Sequence, residues 1–378
     1  MIIEKVLLSI NVRWWNAEAA YAINVARGLV DKGVQVWMIV NKDSPVHIKA
    51  QKYDIRVITD IELDSKSPLV HWKNLRKILR LVEINNIQVI NSYKSNGSFL
   101  FSLVRKIHPE ITYVKTRGEA RCPNNNFANR YLYGPKGCDG IVVVGEQVRR
   151  WIYGLFVEKE KQRISVIHYG DSAVVAENKV DRKKITQELG VSKSSKLFAL
   201  LGRTQKVKGH VLLLKSLMKL KNLHIHLLFL VKDLDEFPEE LKEIKRFIQL
   251  NNLDDKVTIL GFQENLGKIL SCIDCGVIPS LSSEVNCRVA VEFFSMGIPI
   301  VAFPTGTLPD IICHKENGFL CQEKTETSLA SGMRWILDEA TRIDEVGCQA
   351  LQDYKNKYTL EEFSSSTLEF YEEIRKHS

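Results

Sequence analysis

Twelve short apolar runs, rich in Val, Ile, Leu and Phe, recur along this chain of 378 residues, with helical patterns between them. The first half carries "KVLLSI" (5–10), "VQVWMIV" (34–40), "IQVINSY" (87–93), "ITYVKT" (111–116), "GIVVVGE" (140–146) and "RISVIHY" (163–169). The second carries "KLFALLG" (196–202), "LHIHLLFLV" (223–231), "KVTILGF" (256–262), "CGVIPS" (275–280), "PIVAF" (299–303) and "GFLC" (318–321). Stretches such as residues 17–33 and 208–220 fill the gaps with helical spacing. Continuous β-rich runs separated by helices are the pattern of a parallel sheet covered on both faces. The expected fold class is therefore α/β, with two Rossmann-like parallel-sheet domains facing each other across a cleft. The polar stretch at 171–195 predicts the boundary, giving domains 1–170 and 171–358. Open parallel sheets bind ligands beyond the carboxyl ends of their strands, so the loops there are where chemistry is expected.

Composition narrows the class. With 45% hydrophobic and 26% charged residues, the chain has enough apolar material for two cores. No apolar run approaches the roughly 20 residues of a membrane span. The N-terminus does not read as a signal peptide, so a cytoplasmic location is expected. The eight cysteines are scattered, and only Cys272 and Cys275 form a C-x-x-C, with no second pair at zinc spacing. Residues 1–170 hold 26 Lys+Arg against 15 Asp+Glu, whereas the remainder is close to neutral. That excess fits an anionic substrate or an anionic membrane surface. It does not point to nucleic acid, because aromatic stacking runs and a recognition helix are missing.

Two loops of the second half stand out. In "GRTQKVKG" (202–209), Gly202 allows a tight exit from a strand, and Arg203 and Lys208 stand beside the start of a helix at Gly209. Two cations at a helix N-terminus suit a diphosphate. In "PSLSSEVNCRVAVEFFSMGIP", Glu284 sits just ahead of a helix expected at 286–296, and Glu292 about two turns inside it. The amides of Val285, Asn286 and Cys287 would be free donors at the helix start. Carboxylates accept hydrogen bonds from vicinal hydroxyls, so the set suits a nucleotide sugar.

With these residues in view, the chain resembles the GT-B glycosyltransferases of the retaining family 4. The likeness rests on an E-x7-E motif (Glu284, Glu292) followed by "GIPIVA" (297–302), and on a G-R-x-x-x-x-K-G motif (Gly202, Arg203, Lys208, Gly209). It extends to "VVVGEQVRRWI", to "IHYGD" (167–171) and to a terminal helix, about 359–378, that would complete the N-terminal domain. The resemblance implies a donor site of Gly202, Arg203, Lys208, Gly261, Phe262, Glu284, Val285, Asn286, Cys287 and Glu292. Within it Arg203 and Lys208 would hold the diphosphate, Glu284 the transferred sugar and Glu292 the ribose, making Glu284, Arg203 and Lys208 the catalytic set. No resident cofactor and no metal are expected. Trp15 and Asn16 stand where the family carries a glycine pair, and Arg117 where it often carries a histidine.

The acceptor is expected on the N-terminal domain, at Arg13, Asn16, Lys94, Arg117, Glu119 and Arg121, with Arg130 nearby. So many cations on strand-end loops suggest an anionic glycan or glycolipid. The "DLD" at 233–235 is expected to be a solvated loop, and His224 and His226 to be structural. The helix at 71–83 is expected to dock Trp72, Leu75, Leu79 and Val82, leaving Lys73, Arg76, Lys77 and Arg80 for an anionic inner leaflet. The expected activity is retaining, metal-independent hexosyl or heptosyl transfer in cell-envelope polysaccharide assembly. A nucleotide-sugar 2-epimerase and a non-catalytic nucleotide-sugar-binding protein are the alternatives.

Overall fold

The computed structural model describes residues 2–119, 121–156, 163–176, 181–192, 194–282, 284–339 and 341–376. The chain forms two compact units, residues 1–171 with 358–378, and residues 172–357. Part of the linker expected at 171–195 (177–180 and 193) lies outside the described residues.

The first unit holds β1 (Lys5–Ile10), β2 (Gln35–Val40), β3 (Arg56–Ile58), β4 (Val89–Ser92), β5 (Thr112–Arg117), β6 (Gly140–Val143) and β7 (Arg163–Val166). They form one sheet of order β3-β2-β1-β4-β5-β6-β7, and every pair is parallel. The second holds β8 (Lys196–Leu201), β9 (Ile225–Leu230), β10 (Val257–Leu260), β11 (Cys275–Ile278), β12 (Ile300–Ala302) and β13 (Gly318–Leu320). Its order is β10-β9-β8-β11-β12-β13, again all parallel. The alternation of apolar runs and helices has this architecture as its cause. Strands sandwiched between helix layers, such as Val6, Leu7 and Leu8 of β1, are buried on both faces.

Strand order reverses direction between β1 and β4 in one sheet and between β8 and β11 in the other. At such a switch point the loops leave in opposite directions and open a crevice at the strand ends. The loops of interest lie at these two places.

The terminal helix Leu360–Lys376 belongs to the first unit and packs on the helix Ala17–Asp31. Tyr21 meets Phe363 edge-on at 4.7 Å, and the Tyr371 hydroxyl accepts from Asn91 Nδ2 at 2.5 Å.

Three local expectations need correction. Strand β3, three residues long, has no counterpart among the expected runs. The helix expected at 286–296 runs Arg288–Ser295, so residues 285–287 precede it and Glu292 lies little more than one turn inside. The helix around 71–83 spans Pro68–Asn85, and its buried face is Asn74, Ile78 and Val82. Trp72 is exposed instead, with Arg76 over its ring at 4.8 Å, and Leu75 and Leu79 are only half-buried. Asn74 sits in the buried row because its Nδ2 donates to the Glu62 carbonyl at 2.7 Å.

Candidate active site

In the second unit three loops meet beyond β8, β11 and β12. The loop after β8 runs through a short 3-10 turn, Lys206–Lys208, into the helix His210–Met218. Gly209 joins the two at φ +77°, and a Cβ there would come within 2.2 Å of the Pro279 carbonyl oxygen. This close approach sets the β8 loop against the β11 loop. Leu281 N donates to Val207 O at 2.8 Å across the same seam.

The ammonium of Lys208 is ion-paired with the carboxylate of Glu284. Ser280 Oγ donates to Glu284 Oε1 at 2.6 Å. Glu284 is buried, so its charge depends on these partners. Ser280, Glu284 and Val285 are clamped from the β12 side. Thr305 Oγ1 donates to Ser280 O at 2.6 Å, Thr307 N to Glu284 O at 2.9 Å and Thr307 Oγ1 to Val285 O at 2.8 Å. Gly306, between them, has φ +61°, and a Cβ there would fall 1.7 Å from Glu284 O. Ser280, Thr305 and Thr307 were not singled out from sequence. Thr305 and Thr307 act on backbone carbonyls, which leaves no residue spacing to read. The one available cue was a polar, Gly-containing stretch at the end of a strand.

Cys287, the N-cap of the helix Arg288–Ser295, has φ +43°, unusual for a residue with a side chain. Its thiol is buried, burial pushes its pKa well up, and its sulfur lies 3.0 Å from Thr307 Oγ1. Asn286 is buried beside it. Glu292 is a half-buried carboxylate 3.5 Å from Arg288. Arg203, about half exposed, pairs with Glu236 at 3.0 Å, so it is not part of the Lys208–Glu284 contact. Gly202 follows β8, and Phe262, beyond Gly261, is exposed.

In the first unit, Lys94 follows β4 and Arg117 ends β5, two adjacent strands. Lys94 Nζ lies 2.9 Å from Glu119 Oε1, and Arg117 NH2 lies 3.2 Å from Glu119 Oε2. Lys94 also pairs with Glu18, in the first turn of the helix Ala17–Asp31. The structure thus gathers Lys94, Arg117 and Glu119 and adds Glu18. It does not bring Arg13, which pairs with Asp64 at 3.0 Å. Asn16 caps the first helix, accepting from Ala19 N at 2.9 Å, and Arg130 donates to Asn125 at 2.9 Å. Arg121 contributes its carbonyl, which accepts from Arg117 NH2 at 2.7 Å.

Beneath this cluster Lys115, on β5, is fully buried and donates to Ser98 Oγ at 2.8 Å. Burial lowers its pKa from 10.5 to about 8. Between those values the unfolded chain binds the extra proton, so this lysine makes stability rise with pH from about 8. Lys115→Met removes the buried charge. It is expected to stabilise the protein at pH 7 by about 2 kcal/mol and to flatten the pH dependence between pH 7 and 9.5. Denaturant titrations across that range check both outcomes.

The "DLD" loop forms a local turn, with Asp235 N donating to Asp233 Oδ1 at 3.0 Å. His226 is buried and bonded to Thr258 Oγ1 at 2.8 Å, while His224 is exposed. Among the described residues no group of three or more His, Cys, Asp or Glu is placed to hold a metal ion. Cys272 and Cys275 are buried free thiols.

Comparison with known proteins places this fold in a class. The fold is that of Rickettsia africae glycosyltransferase, with a TM-score of 0.88 at 20% identity and 100% of both chains covered. Anabaena Alr3699/HepE in complex with UDP gives 0.81 at 15% identity, covering 98% of this chain and 100% of that one. An uncharacterized glycosyltransferase of Methanocaldococcus jannaschii, MJ1607, is 23% identical over 93% of each chain. The family model "Glycosyltransferase Family 4" matches residues 19–170 and "Glycosyl transferases group 1" matches residues 181–352. The chain belongs to the group 1 glycosyltransferases of GT-B fold.

Proposed function

We propose that this enzyme transfers a hexosyl or heptosyl group from a nucleotide-diphosphate sugar to an anionic glycan or glycolipid of the cell envelope, with retention and without a metal. The observation that carries the reading is the Lys208–Glu284 pair, held by three interlocked loops at a sheet switch point. Lys208, and Arg203 swung from Glu236, take the diphosphate. Glu284 and Glu292 accept hydrogen bonds from the sugar and ribose hydroxyls, and the backbone at 285–287 and Gly261–Phe262 lines the rest. The UDP held by Anabaena Alr3699/HepE supports a nucleotide donor. In the transfer, the bond from C1 to the diphosphate oxygen breaks and a bond from C1 to the acceptor oxygen forms on the same face. The acceptor proton leaves with the departing phosphate. Lys208 stabilises charge as it grows on that phosphate. NMR of the product is expected to show the donor's anomeric configuration, formed at an undiminished rate in excess EDTA. An inverted product contradicts retention, and loss of rate restored by Mg²⁺ contradicts metal independence.

A lipid-borne acceptor is supported by one surface of the first unit. The helices Pro68–Asn85 and Ser98–Ile107 pack together and leave Leu69, Trp72, Phe99, Leu103 and Ile107 exposed. Arg76 covers Trp72, and Lys106 lies 5.2 Å from the Tyr131 ring centroid. Lys77 is taken by Asp60 at 2.7 Å, which leaves Lys73, Arg76 and Arg80 of the basic stripe for anionic headgroups. No described helix is long and apolar enough to cross a membrane; the association proposed here is peripheral. Each basic residue near an anionic surface contributes about 1 kcal/mol, screened by salt. Binding to anionic but not neutral liposomes is expected, lost at high salt and weakened in Arg76→Gln/Arg80→Gln. Equal binding to both liposome types contradicts it.

A further inference from the structure

The carboxylates around Lys94 differ in a way the acceptor reading does not use. The side chain of Glu18 is 8% exposed and that of Glu119 is 43% exposed. Glu18 is seated where only a glycine fits opposite it, since a Cβ on Gly118 would come 2.8 Å from Glu18 Cγ. Its Oε1 has no hydrogen-bond partner among the described residues, so the Lys94 pair is what offsets its burial. Burial still raises the Glu18 pKa above the usual carboxylate value, with Lys94 pulling against it. Burial alone would lower the Lys94 pKa, but Glu18 and Glu119 outweigh it and keep the ammonium charged.

Neither cation depends on Glu119 for its position. Lys94 is fixed by Glu18. Arg117 is fixed by the Tyr133 hydroxyl at 3.1 Å and the Arg121 carbonyl at 2.7 Å. Glu119 spans the two, one oxygen on each. With Glu119 in place the charges of Lys94, Arg117, Glu18 and Glu119 cancel, and with it swung out these four leave one positive charge, beside that of buried Lys115. Against the effect of its partial burial, Lys94 and Arg117 hold the Glu119 pKa below the usual carboxylate value, so it stays charged, yet it is the most exposed member of the cluster and the one that water and an incoming anion can reach. Losing Glu18 would instead leave Lys94 without its buried counter-ion.

We propose that Lys94 and Arg117 form an oxyanion seat for the acceptor's carboxylate or phosphate, that Glu119 is its resident occupant and leaves when the acceptor binds, and that Glu18 is the fixed counter-ion positioning Lys94. The proposal rests on the reading that the first unit takes an anionic acceptor. Glu119 then sets selectivity: acceptors without an anion cannot replace it, and those with one can. A carboxylate that has to leave for the acceptor to bind is not the base of the reaction.

The test uses inorganic phosphate and acetate as probes, titrated by NMR into full-length protein carrying Arg203→Ala and Lys208→Ala to silence the diphosphate site. Adding Glu119→Gln is expected to tighten both anions by about five- to tenfold, because the carboxylate that competes for both cations is gone. Adding Lys94→Met with Glu18→Gln, which leaves no stranded carboxylate, is expected to abolish the gain. Unchanged or weaker anion binding in Glu119→Gln overturns the seat, as does a gain that survives loss of Lys94. Tightening by phosphate alone assigns the seat to phosphate-bearing acceptors, and by acetate alone to carboxylates. The titration requires neither donor nor transfer, so its failure is distinct from failure of the transferase reading.

Discussion

Lys208→Ala is expected to weaken nucleotide-sugar binding by about 10–100-fold, the loss of one charge-assisted bond of roughly 1.5–3 kcal/mol. The pair Lys208–Glu284 makes the effect two-sided. Without the lysine, Glu284 stays buried with Ser280 as its remaining side-chain partner among the described hydrogen bonds. Part of the measured cost is then the stranded carboxylate rather than the missing phosphate contact. A double-mutant cycle separates the two. Glu284→Gln alone is expected to reduce turnover more than stability, because a neutral amide still accepts from Ser280. In Lys208→Ala/Glu284→Gln the stability loss should shrink while donor binding stays weak. Calorimetric titration of the donor and denaturant melts of all four proteins give the answer. Wild-type affinity in Lys208→Ala removes the lysine from the donor site.

Gly306→Ala is expected to be the most damaging single methyl group in the second unit. At φ +61° an L-residue is strained by about 1–2 kcal/mol. The new Cβ would overlap Glu284 O at 1.7 Å, so the segment carrying Glu284 has to move. Overpacking of this kind costs a further ~1–3 kcal/mol. A shift of about 1 Å in a catalytic group can cost around a hundredfold in rate. The expected result is a folded but destabilised enzyme with turnover down by about two orders of magnitude. Wild-type turnover in Gly306→Ala contradicts the role given to the 305–307 clamp.

Most of the fold could be read from the chain because buried parallel strands write themselves as uninterrupted apolar runs. Strand β3 could not, since Arg56–Ile58 is too short to stand out as a run. The helix start at Arg288 was misplaced because Cys287 adopts a left-handed backbone where a glycine would have signalled the turn. Trp72 was assigned to the docked face because Asn74, a polar residue, hides the buried row 74–78–82 from a hydrophobic pattern. At the site, Glu284 and Lys208 were each legible but assigned to different parts of the donor. Their pairing joins positions 76 apart, which spacing cannot reveal. Glu18 reads as an ordinary first-turn acid, and only the approach of Gly118 and Lys94 shows it to be buried.

The central claim is that the second unit grips a nucleotide-diphosphate sugar through Lys208 and its neighbours. The most direct measurement is a thermal-shift series of the wild type and Lys208→Ala with UDP, GDP, ADP, CMP and their sugars, since a ligand bound only by the folded state raises its stability. The account predicts that at least one nucleoside diphosphate or its sugar raises the wild-type midpoint, with a much smaller rise at the same concentration in Lys208→Ala. A panel that leaves the wild type unmoved, or shifts both proteins equally, contradicts it.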